Sequence, residues 1–82
     1  MQTEYFLNIP NTQLGYLEVI DFSKDNLSNL ETTTFIQLCN KLSQCPNLKI
    51  LNLGNYNLGF LSVNKFRMLK NALSQFSYLK VS

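Results

Sequence analysis

Asn40-Lys41-Leu42-Ser43-Gln44-Cys45-Pro46-Asn47-Leu48-Lys49-Ile50 and Asn71-Ala72-Leu73-Ser74-Gln75-Phe76-Ser77-Tyr78-Leu79-Lys80-Val81 are two copies of one pattern, with six of eleven positions identical. The second copy stands at an offset of 31 from the first. Carried backwards without a gap, the same offset sets Leu17 on Leu48, Asn26-Leu27 on Asn57-Leu58, Leu30 on Leu61, Phe35 on Phe66 and Leu38 on Leu69. Over 17–51 against 48–82 there are 12 identities in 35 pairs, several times the rate of chance. The chain contains an internal repeat, and a fixed period of this size marks stacked structural units.

Each unit changes period part-way. Leu17-x-x-Ile20-x-Phe22 and Leu48-x-x-Leu51-x-Leu53 place apolar residues at the first, fourth and sixth positions, with Leu27 and Leu58 at the eleventh. The alternation predicts a short strand with one buried face. Phe35, Leu38, Leu42 and Cys45 then fall at helical spacing, as do Phe66, Leu69, Leu73 and Phe76. Each unit therefore continues into an amphipathic helix. Ser28-Asn29-Leu30-Glu31 reads as a capping box for the first helix, and Ser62 as the N-cap of the second. Pro46 and the Ser and Asn residues around it mark the return to the next strand. In front of the units, Tyr5–Pro10 is apolar and ends at a proline, which suggests a short strand or turn over the first core layer.

The unit resembles the leucine-rich repeat, L-x-x-L-x-L-x-x-N-x-L. With a full helix in each unit it is similar to the ribonuclease-inhibitor-like subfamily, which includes many bacterial effector repeats. The resemblance implies an α/β fold: a short right-handed leucine-rich-repeat solenoid of 31-residue period, with parallel strands on the concave face and helices on the convex face. A single domain over 1–82 would hold a cap or partial repeat at 1–16, repeats at 17–47 and 48–78, and the start of a truncated third repeat at 79–82. The family's ninth position usually carries the asparagine of a ladder along the loops. Here it holds Asp25 and Tyr56, with Asn26 and Asn57 one residue later. Either this asparagine pair serves the ladder in a shifted loop, or the loop is held differently.

The resemblance also implies where a partner sits, on the outward strand positions. These are Val19, Asp21, Ser23 and Lys24, then Ile50, Asn52, Gly54 and Asn55, then Val81. Equivalent positions stack, so Val19, Ile50 and Val81 are expected to form an apolar row beside Asp21 and Asn52. The last strand edge, with Phe76, Leu79 and Val81, is expected to lie uncovered and to favour self-association. Charge adds to this expectation. The five acids, Glu4, Glu18, Asp21, Asp25 and Glu31, are opposed in their stretch of chain by Lys24 alone, which leaves −4. Residues 41–82 carry six cations and no acid, or +6. Stacked along one axis, these halves make a dipole that favours head-to-tail contact.

Catalysis finds little support. There is no histidine, which removes the commonest general base and metal ligand. Gly15, Gly54 and Gly59 form no phosphate loop, and Cys39 and Cys45 fit no zinc spacing. The expectation is a protein–protein interaction module, not an enzyme, with no cofactor or metal. An effector-like protein is what the resemblance implies. A self-assembling structural protein or a fragment of a longer repeat scaffold is the alternative. The partner is expected to be protein, with a homo-oligomer favoured, no nucleic acid and no membrane span. Without a classical signal peptide, the expected location is cytoplasmic or, after delivery, a host cell.

Overall fold

Ile20 and Leu51 sit at the centres of two three-residue strands and are completely buried, while their neighbours Val19 and Ile50 face outward. This is the period-2 alternation of a strand lying on a core. The computed structural model describes residues 1–82. In chain order it runs α1 (Thr3–Asn8), a 3-10 helix at Asn11–Tyr16, β1 (Val19–Asp21) and a 3-10 turn at Leu27–Asn29. There follow α2 (Thr32–Ser43), β2 (Ile50–Asn52), α3 (Gly54–Phe60), α4 (Val63–Leu73) and β3 (Lys80–Val81). The strands form one all-parallel sheet in the order β1-β2-β3. The buried face of the sheet meets α2 and α4, which pack side by side, and α1 packs on α2.

The core is densest in the first crossover. Ile20, Phe22, Leu27, Phe35, Leu38, Leu42 and Cys45 are all buried to within a few per cent, as are Leu51 and Leu53 of the second. Phe6 of α1 closes this core edge-on against Phe22, with ring centroids 5.6 Å apart. The stretch expected to be a strand or turn is thus a helix, though it does cover the first core layer. A helix satisfies its own backbone, whereas a strand there would need a neighbour beside β1. Lys41 of α2 holds the segment by donating to the carbonyl oxygens of Leu7, at 2.9 Å, and Ile9.

The expected solenoid of 31-residue period is corrected. The fold is a small α/β domain, too short for a repeating array. Its strands do not keep one spacing: Val19 pairs with Ile50, but Ile50 pairs with Lys80, so the second offset is one shorter than the first. The first crossover holds a 3-10 turn and α2, and the second holds α3 and α4. Its extents are 30 × 25 × 20 Å. Its radius of gyration is 11.6 Å, against about 11.7 Å for a globular domain of this length.

The change of register has a local cause. The first two strands turn an apolar residue at their centre, Ile20 or Leu51, into the core. The third has Ser82 at that place. β3 shifts by one residue, and Val81 pairs with Leu51 instead of Ile50. A one-residue slip turns every side chain to the other face.

The helix starts differ as well. Ser62 caps α4 as expected, its hydroxyl accepting from the Lys65 N–H at 3.2 Å. The capping box expected for α2 does not form. α2 begins one residue after Glu31 with no side-chain cap, and the Ser28 hydroxyl donates to Asn26 instead. α3 opens on Gly54 at φ +75°, a left-handed conformation that suits glycine. A Cβ there would stand 2.9 Å from that of Ser23, so the turns of the two crossovers touch at this point.

Candidate protein-binding surfaces

A parallel sheet is ordinarily covered on both faces. This one has a bare outer face. On it Val19 and Ile50 are direct partners across β1 and β2, 56% and 38% exposed. Beside them Glu18 and Lys49 form the only ion pair, at 2.9 Å, with both side chains largely in solvent. The Lys49 ammonium, by hydrogen bond and then by charge, lowers the Glu18 pKa, and Glu18 raises that of Lys49 in return.

Asp21 and Asn52, the expected polar row, are also partners across the strands. Each spends its side chain on a turn. The Ser23 N–H donates to Asp21 Oδ1 at 2.7 Å, and the Gly54 N–H donates to Asn52 Oδ1 at 3.0 Å. The Ser23 hydroxyl and then its backbone N–H hold the Asp21 carboxyl below its ordinary pKa. Lys24 and Asn55 lie beyond the strand ends, Lys24 in the turn after β1 and Asn55 in the first turn of α3. Val81 leaves the outer row altogether, and Lys80 takes the place opposite Ile50. The outer apolar patch is therefore two residues, not three.

Val81 instead lines a groove on the core side, with Leu53, Leu58, Phe66, Leu69 and Leu73. Its volume is about 590 Å³, and Lys70 stands at its margin. A neighbouring hollow of about 440 Å³ between Leu61, Val63 and Phe66 also takes in Arg67 and Lys70. Phe76 and Leu79, expected on an open edge, are half-buried against the core and line a shallower hollow with Pro46, Leu48 and Tyr78.

Two polar residues, Asn57 and Lys65, hold the loops beneath these surfaces. Asn57 is completely buried. Its amide donates to the carbonyls of Phe22 at 3.0 Å, Asp25 at 2.8 Å and Leu53 at 2.7 Å, and it accepts from the Leu27 N–H at 3.0 Å. Its repeat counterpart, Asn26, is exposed and reaches only the Tyr56 hydroxyl and Ser28. Of the two asparagines, only Asn57 ties neighbouring loops together through their backbone. Lys65, one of the six cations of residues 41–82, turns inward. Its ammonium donates to Ser28 and Leu30 carbonyls at 3.0 and 2.6 Å and lies over the Phe35 ring. The signal for both roles is a polar residue one repeat beyond a loop, and it shows only once the loops are stacked.

The cysteines are free and buried. Desolvation pushes the Cys39 thiol up to about 11, and burial raises Cys45 against the opposing charge of Lys41. Such thiols are poor nucleophiles at neutral pH. No helix is long and apolar enough to cross a membrane.

Fold and surfaces together define a small α/β domain with one bare sheet face and one open apolar groove. No protein-family model, curated protein or solved structure matches the chain.

Proposed function

We propose that this chain is a protein-binding module that engages its partner with the outer face of the sheet. The observation that carries the reading is the uncovered pair Val19 and Ile50, in register on a parallel sheet. Apolar side chains on such a face gain by being covered. Around them Glu18, Lys49 and Lys80 make a charged rim, the usual anatomy of a contact patch. The patch spans three strands about 4.8 Å apart, so it suits a narrow or transient contact.

Ile50→Asp tests this reading. A photo-crosslinking group placed at Val19 identifies the partner, and Ile50→Asp abolishes its capture while the size and fold of the protein stay unchanged. Capture that survives the substitution removes the sheet face from the contact. A change in the protein's own size assigns the face to self-assembly instead.

A further inference from the structure

The groove beneath β3 stands apart from the sheet face, and the charges around it are one-sided. Residues 41–82 contain no acid. Of their six cations, Lys49 is paired with Glu18, and Lys41 and Lys65 are committed to backbone carbonyls. Arg67, Lys70 and Lys80 remain exposed and without an acidic partner. Arg67 and Lys70 sit at the groove and the hollow beside it.

The opposite end of the sheet carries α1. There Glu4 has no cationic partner, and the adjacent Tyr5 is 66% exposed. One end thus presents an apolar hollow edged by cations, and the other an aromatic ring beside an acid. We propose that the groove receives the α1 end of a second copy of this chain, head to tail, with Tyr5 entering between Leu58 and Phe66 and Glu4 meeting Lys70 and Arg67.

Charge decides between this arrangement and a two-fold dimer. Groove against groove would set Arg67 and Lys70 against their own copies, whereas head to tail sets Glu4 against them. The contact is heterologous and adds copies in a line or closes them into a ring.

Light scattering on eluting protein, over a concentration series at about 0.1 M and 1 M salt, provides the test, since the screening length falls from about 10 Å to about 3 Å. Head-to-tail contact gives species above 9.5 kDa that grow with concentration and shrink in high salt. Glu4→Lys alone and Lys70→Glu alone each weaken association roughly tenfold or more, and an equimolar mixture of the two recovers it. Both substitutions fall on exposed positions, so folding is preserved and is checked by circular dichroism. A monomer at every concentration overturns the proposal, as does a dimer that tightens with salt or a mixture that fails to recover. Ile50→Asp leaves this assembly intact, so the proposal and the partner-binding role of the sheet face fail separately.

Discussion

Residues 17–47 and 48–78 are copies of one unit, and they do opposite things with the same positions. Phe35, Leu38 and Leu42 are sealed inside, whereas of their counterparts Phe66, Leu69 and Leu73 only Leu69 is buried. Asn26 is exposed and Asn57 is the most enclosed polar residue of the chain. Cys39 is 4% exposed, and Lys70 faces solvent. The difference comes from neighbours, not from propensity. The first unit is sandwiched between α1 and the second unit, and the second unit is covered on one side only.

The asparagine pair separates the units most sharply. Asn57→Ala strands the Leu27 N–H and the carbonyls of Asp25 and Leu53, while that of Phe22 keeps the Asp25 N–H. Buried polar groups left unpaired cost about 1–3 kcal/mol each, so the expected loss is roughly 3–5 kcal/mol after partial relaxation. A domain of this length holds roughly 4–12 kcal/mol in all. Asn26→Ala changes stability by less than about 0.5 kcal/mol. Urea unfolding of the two variants reads the contrast directly, and equal losses would dissolve it. The leucine pair comes next. Leu42→Ala opens a cavity in a sealed core and costs about 3 kcal/mol. Leu73→Ala, at the half-open groove, costs about 1 kcal/mol because solvent already reaches the site. The last contrast concerns Cys39 and is confined to alkaline pH. Unfolded, its thiol ionises near 9.0, and folded, near about 11. The unfolded chain loses the proton first, so stability is full below pH 9 and falls between pH 9 and about 11. Cys39→Val removes that part of the alkaline decline, measured as the difference between the two proteins' melting temperatures across this range.

Much of this was legible beforehand, and the failures have physical reasons. The identities at the repeat offset place β1 and β2, and the helical spacing places α2 and α4. Period and burial go together in those elements, so the core leucines follow. α1 and α3 are six and seven residues long. Elements of under two turns carry no readable period and form where neighbours hold them. The position of Val81 depends on a pairing shift of one residue, which Ser82 hints at but which only the competition between two faces decides. Of the expected surface, Val19 and Ile50 stand as partners, Asp21 and Asn52 are absorbed into turns, and Lys24 and Asn55 lie past the strands. Lys65 reads as a surface cation because spacing along a helix says nothing about the distant loop at Ser28 and Leu30.

The loop bonds also share a direction. Asp25 accepts from Thr3, Lys41 donates to Leu7 and Ile9, and Asn47 donates to Gly15. Asn57 serves Phe22, Asp25 and Leu27, Lys65 serves Ser28 and Leu30, and Gln75 serves Ser43. Every long-range bond from a side chain to the backbone runs from a later residue to an earlier one. Synthesis proceeds in the same sense, and domains generally fold as units as they emerge. Each loop therefore leaves the ribosome with open carbonyls and waits for a stretch of chain not yet made. The loops of the first half keep these groups without their native partners until Asn57 and Lys65 have been made.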